Sequence, residues 1–299
     1  MSRHSVVVLD STPTAVLFPG QGSQTPDMRD LVAAVRPDLL DAAIDLVGED
    51  PFPRVEESTR FAQPAILCAS LANWTRLRDH VDPVALAGHS LGEFSALAAA
   101  GAISDEDALR LVVLRGDHMA SSGGASGGGT MLALMGATPA QAAALAARHG
   151  VSLANDNAPG QVVLSGAPGA LEAASKDAET EGLRALPLGV AGAFHSPQMQ
   201  GAVAPFRAAL TEVVFDTPQI TVISCATAAA FADPAVELAD ALVSPVRWRD
   251  TMTTLDAMDV QTYVDVGPGR VLSKLAPRCI KGASAATADT LLEDISVPV

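Results

Sequence analysis

Basic residues are scarce in this chain of 299 residues: 19 Lys and Arg stand against 34 Asp and Glu, a formal charge of −15. A chain this acidic repels phosphate backbones, which argues against non-specific nucleic-acid binding. The cations Arg76, Arg78, Arg247, Arg249, Arg270, Lys274, Arg278 and Lys281 are expected as scattered solubilising charge, with one local basic patch as the alternative. Cysteine is equally sparse. Cys68, Cys225 and Cys279 lie far apart and are odd in number, with no metal spacing and no disulfide framework, so a reducing, cytoplasmic setting fits. No apolar stretch reaches the roughly 20 residues of a membrane helix. The one apolar run near the N-terminus, Val6–Leu9, is broken by Asp10 and is too short for a signal peptide. Glycine (24) and proline (20) are near ordinary usage, which excludes a fibre or a low-complexity chain.

What is present is apolar: 48% hydrophobic residues against 18% charged, enough for a large domain with a sizeable core, or for a large domain carrying a smaller one. Ala15–Phe18 reads as a buried strand stopped by Pro19-Gly20. Residues 61–78 carry apolar side chains at helical spacing, with Pro64 expected in the first turn. Val84–Ala87 reads as a second buried strand, 90–100 as an alanine-rich helix ending at Gly101, and 105–120 as a helix with Asp105, Glu106 and Asp107 in its first turn. Ser121–Gly129 is a flexible loop by composition. Beyond it come a strand at 131–137, a helix at 139–149, strands at 152–158 and 161–167, a helix at 168–182 and a strand at 184–190. That β-α-β-β-α-β order is the ferredoxin-like pattern. It divides the chain into a large domain of 1–129 with 191–299 and an inserted subdomain of 130–190. A helix at 198–212 follows, then strands at 220–225 and 262–266 with a helix between them.

The chemistry centres on Gly88-His89-Ser90-Leu91-Gly92, a G-x-S-x-G between a predicted strand and a predicted helix. A serine at such a turn sits on strained backbone with its hydroxyl exposed. The flanking glycines remove side chains that would collide, and the amide of Leu91 at the helix start points toward a developing oxyanion. A nucleophilic serine needs a base. His4 is near the terminus, His80 and His149 sit at helix ends, His118 lies on a helix, and His89 should point away from its neighbour Ser90. His195, in the loop Gly192-Ala193-Phe194-His195-Ser196, is the strongest single candidate without excluding the others. No acid stands out as a third member; Asp265 is one possibility.

Separated segments in a fixed order carry a resemblance: FPGQGSQ (18–24), QPAI (63–66), GHSLGEFSALAAAGA (88–102), LRGDHM (114–119), NAPGQVVLSG (157–166), FHSPQM (194–199), SPVRW (244–248) and VGPGRVLSKL (266–275). With these the chain, from about residue 14 to 281, resembles the malonyl-CoA:acyl-carrier-protein transacylases and the related acyltransferase domains of polyketide synthases. The fold so implied is α/β, a large α/β-hydrolase-like domain with an inserted ferredoxin-like α+β subdomain. By the same resemblance Ser90 is acylated and His195 serves as base and then acid. A backbone carbonyl near Ala241, where many relatives carry glutamine, orients the histidine. Gln21 and Leu91 give the oxyanion-hole amides, and Asn157 belongs to the substrate-binding residues. Arg115 holds the free carboxylate of malonyl-CoA, a task suited to the two parallel hydrogen bonds of a guanidinium.

Phe194 before the histidine and Leu91 after the serine together resemble the malonyl-selective members of the polyketide branch, the ring crowding an α-methyl branch; Gly192 replaces a residue that is more often bulky or polar. The implied reaction is a ping-pong transfer from malonyl-CoA to the phosphopantetheine thiol of an acyl carrier protein. It needs no metal or redox cofactor, runs in a monomer, and feeds fatty-acid or polyketide synthesis. The competing readings are a thioester hydrolase on the same scaffold, a malonyl-transfer subunit of malonate decarboxylase, and a non-catalytic docking protein.

Overall fold

The computed structural model describes residues 12–125 and 128–296. The apolar run Val6–Leu9 and His4 lie outside the described residues. In chain order, β1 (Thr14–Phe18) leads to α1 (Met28–Val35), α2 (Pro37–Val47), α3 (Thr59–Leu77), β2 (Pro83–Gly88), α4 (Gly92–Ala99) and α5 (Asp105–Ala125). The next segment is β3 (Thr130–Met135), α6 (Pro139–His149), β4 (Ser152–Ala158), β5 (Gln161–Gly166), α7 (Pro168–Thr180) and β6 (Arg184–Leu188). The chain closes with α8 (Gln200–Thr211), β7 (Thr221–Ile223), α9 (Pro234–Asp240), α10 (Trp248–Asp256), β8 (Thr262–Asp265), α11 (Val271–Cys279), β9 (Ser284–Thr287) and α12 (Ala288–Ser296).

The larger sheet has the strand order β7-β2-β1-β8-β9, and every pairing in it is parallel. A parallel sheet is covered on both faces, so its strands need apolar residues at consecutive positions. In β1 the alternation is direct: Val16 and Phe18 enter the core beneath α3, α4 and α5, while Ala15 and Leu17 enter the core beneath α10 and α11. The smaller sheet has the order β4-β5-β3-β6 and is antiparallel throughout, which is the ferredoxin-like arrangement. Leu132, Leu134, Val162 and Leu164 turn to α6 and α7, while Met131, Ala133 and Val163 turn to the large core. The α/β fold, with a parallel sheet and a small antiparallel one, therefore agrees with the expectation from sequence.

Several boundaries moved for identifiable reasons. The Ser58 side chain caps α3 by accepting the Arg60 amide, so the helix starts at Thr59 and Pro64 lies in its second turn rather than its first. Helix α5 runs to Ala125, into the segment read as a loop, and the helix packs against α8 and the tight turn at Pro197–Met199. Composition registers the glycine cost of a helix but not the neighbours that offset it. Strand β7 stops at Ile223 because Ser224 and Cys225 bond to a buried side chain, Glu93, instead of continuing the ladder. Two helices, α9 and α10, stand where one was expected, and β9 and α12 were not foreseen.

Candidate active site

Ser90 occupies the turn between β2 and α4 with φ 53°, a left-handed conformation that side-chain-bearing residues rarely adopt. The turn is tight enough to demand its glycines. A Cβ on Gly88 would run into the backbone of Gly92 and Glu93, and a Cβ on Gly92 would run into the Phe18 carbonyl. The hydroxyl of Ser90 lies 2.8 Å from His195 Nε2 and accepts from Arg115 Nη2 at 3.0 Å.

His195 is also left-handed (φ 57°) and buried. Its Nδ1 faces two carbonyl oxygens, Ala241 at 2.9 Å and Ser244 at 3.1 Å. Carbonyls only accept, so Nδ1 carries the proton and Nε2 accepts from the Ser90 hydroxyl. Burial and then the positive charge of Arg115 push the His195 pKa down to about 3, against the pull of the Ala241 carbonyl. The ring is neutral at physiological pH, the form a base requires.

Arg115 projects from α5 and is 3% exposed, so it is not a solvated helix arginine. Its Nη1 donates to Gln63 Oε1 at 2.8 Å and its guanidinium carbon lies 5.8 Å from the Phe94 ring centre. Among the described residues no carboxylate reaches ion-pair distance of it. Burial lowers its pKa to about 10, still charged at neutrality. Gln63 is in turn held by Met119 Sδ and Thr59 Oγ1, so the guanidinium is supported from behind.

These groups open onto a cavity of about 330 Å³ between the two sheets. Gln21, Leu91, Asn157 and Phe194 all line it. Among the described residues neither the Gln21 nor the Leu91 amide meets a protein acceptor. Asn157 is engaged: its Oδ1 lies 2.8 Å from His89 Nε2, which is where the His89 ring turns instead of toward Ser90. The Phe194 ring lies over Gly192, in the space a Cβ there would take. Sequence reading missed the Ser244 carbonyl, Gln63, Glu93 and Cys225. Gln63, Glu93 and Ser244 sit inside quoted motifs without a role attached; Cys225 carried no signal.

Asp265 is not a third member. Its carboxylate accepts the amides of Gly267, Leu272 and Ser273 and so caps α11; burial pushes its pKa up to about 7. Of the remaining histidines, His149 binds Asp177 on the small sheet's helices, far from the serine. No cluster of metal ligands occurs among the described residues.

The acyl transferase domain family matches residues 16–295. The polyketide biosynthesis protein ThaF of Burkholderia thailandensis is 38% identical over 293 residues, which is 92% of this chain but only 25% of that protein. The malonyl CoA-acyl carrier protein transacylase of Haemophilus influenzae is 36% identical over 288 residues, covering 89% of this chain and 92% of its own. Among solved structures, the malonyl-transacylase PlMCAT, determined with the type II PKS acyl-carrier protein AntF, superposes with a TM-score of 0.87 at 32% identity, covering 95% of this chain and 100% of that one.

Proposed function

The chain belongs to the acyl transferase domain family, and from that premise we propose that it moves a malonyl group from malonyl-CoA to the phosphopantetheine thiol of an acyl carrier protein, for fatty-acid or polyketide synthesis. The observation that carries this reading is the position of Ser90 Oγ, between the neutral His195 and the charged Arg115 in one cavity. A nucleophile, a base and a carboxylate-binding cation are the three groups the reaction needs. In this reading Arg115 turns from Ser90 to the malonyl carboxylate, binding it through two parallel hydrogen bonds and fixing the thioester carbon over Oγ.

His195 Nε2 takes the Ser90 proton as Oγ bonds to the carbonyl carbon. The amides of Gln21 and Leu91 hold the oxyanion, aided by the N-terminus of α4. Collapse breaks the C–S bond, and the proton on Nε2 passes to the CoA sulfur. The carrier thiol then gives its proton to His195 and attacks the malonyl ester; the C–O bond to Ser90 breaks and Nε2 returns the proton to Oγ, which restores Ser90. The carboxylate has a second effect. Offsetting the charge of Arg115 removes one of the causes that depress His195, the largest after burial, so the base strengthens when a carboxylated substrate arrives.

The wider reading follows the same lines. Residues 130–190 form the inserted subdomain and the rest the catalytic domain. The enzyme works as a monomer in the cytoplasm without a cofactor; among the described residues no helix is long and apolar enough to cross a membrane. The carrier's acidic surface suits α11. On or beside it, Arg270, Lys274, Arg278 and Lys281 make no ion pair with a carboxylate among the described residues, while Val271, Leu272 and Leu275 line the cavity. Arg278 bonds to Gln161 on the same rim.

Intact-mass spectrometry tests the reading, with malonyl-, methylmalonyl- and acetyl-CoA in competition and Ser90→Ala alongside. A malonyl adduct on the wild type that is absent from the variant supports it. Free CoA released without an adduct points to hydrolysis instead.

A further inference from the structure

The proposed reaction leaves a second buried group against the nucleophile without a task. Glu93, in the first turn of α4, is 1% exposed. Its Oε1 accepts from the Cys225 amide at 2.8 Å and from Ser224 Oγ at 3.0 Å. Cys225, also 1% exposed, accepts the Ser90 amide on its sulfur at 3.3 Å. The Glu93 amide in turn donates to the Ser90 carbonyl at 3.1 Å. The contacts close a ring: Ser90 N–H to Cys225 Sγ, Cys225 N–H to Glu93 Oε1, Glu93 N–H to Ser90 C=O. We infer that Cys225 and Glu93 are positioning residues that hold the main chain of Ser90 through both half-reactions, an inference that rests on Ser90 being the nucleophile.

The left-handed turn at Ser90 has to be imposed by its surroundings. The side-chain contacts of Ser90 cannot do this throughout. In the proposed reaction Oγ loses its proton to His195 and becomes an ester, and Arg115 turns to the substrate. The ring survives every one of these changes, because it grips only backbone atoms of Ser90. It also fixes the peptide plane between Ser90 and Leu91, and that plane carries the Leu91 amide of the oxyanion hole. A misaligned amide weakens the transition state more than the bound substrate, so the effect belongs in kcat. Cys225 is itself tied down, its carbonyl accepting the Arg247 amide at 2.7 Å.

The experiment compares Cys225→Ala with Cys225→Ser by steady-state malonyl transfer and by the rate at which phenylmethylsulfonyl fluoride modifies Ser90, followed by intact mass. Cys225→Ala leaves the Ser90 amide without an acceptor, and kcat and the sulfonylation rate are expected to fall about tenfold with KM within about twofold. Cys225→Ser restores an acceptor and is expected to recover most of the loss. Should Cys225→Ala fail to fold, Cys225→Val fills the space without accepting a hydrogen bond and serves the same comparison. Wild-type kcat in a folded Ala or Val variant overturns the inference. So does a loss confined to KM, or an equal loss in the Ser variant. The sulfonyl fluoride arm needs no malonyl-CoA, so it reads the ring even if malonyl transfer itself is refuted.

Discussion

In the proposed reaction, Arg115→Ala should separate substrate recognition from the acyl-transfer machinery. The wild-type guanidinium has Gln63 and Ser90 as partners and no protein carboxylate within ion-pair distance among the described residues. It can therefore take a ligand carboxylate without first breaking an ion pair. Two charge-assisted hydrogen bonds to a desolvated carboxylate, each about 1.5–3 kcal/mol, set the scale. Part of that is offset by the Ser90 contact that substrate displaces, which leaves a net loss of about 3–4 kcal/mol, a fall of roughly 10²–10³ in kcat/KM for malonyl-CoA.

Acetyl-CoA has no carboxylate and should move the other way. Removing the buried cation relieves one of the causes that hold His195 down near 3, so its pKa rises toward the ordinary histidine range. A stronger base assists the thioester that never used Arg115. The assay is single-turnover acylation of Ser90 with each thioester between pH 4 and 8. The free-enzyme base must be neutral, so acylation is lost as pH falls through its pKa. The acid limb set by His195 should lie below pH 4 in the wild type and move upward in the variant. Unchanged malonyl kinetics, or an equal loss on acetyl-CoA, would refute the assignment of Arg115.

If Phe194 walls the acyl group as proposed, Phe194→Ala should raise the methylmalonyl-to-malonyl ratio of kcat/KM by about 10- to 100-fold, the worth of one methyl in an apolar pocket; competition mass spectrometry reads it. Gly192→Ala drives a Cβ into the Phe194 ring, so the ring must tilt into the cavity and KM for malonyl-CoA should rise. Reversing charge on α11 with Lys274→Glu and Arg278→Glu should slow transfer to the carrier about tenfold at low salt, with the gap closing near 1 M and Ser90 acylation untouched. Burial raises the Glu93 pKa to about 7, so the folded protein holds this proton more tightly than the unfolded chain. Stability from this group is present at pH 4 and is lost as pH rises toward 7; thermal melts of Glu93→Gln should show a shallower decline over that range.

How much was legible follows from where each partner comes from. Ser90, Leu91 and the glycines around them are neighbours in the chain, and the strain of one turn dictates their types, so G-x-S-x-G between a strand and a helix could be read directly. The parallel strands were equally plain, because burial on both faces writes a continuous apolar run at Ala15–Phe18 and Ala85–Ala87. His195 was harder. Its distance from Ser90 is 105 residues, so local pattern could make it the strongest single candidate but could not pair it with the serine. No acid stood out as a third member and Asp265 was one possibility; instead two carbonyls face His195 Nδ1, and a carbonyl has no residue type to search for. Gln63 and Cys225 show the remaining limit. Each acts on the serine or the arginine from another element, 52 and 135 residues away, through one contact whose chemistry several side chains could supply. Such residues become visible only when the fold has brought their partners together, and for Cys225 the partner is a backbone amide that every residue but proline carries.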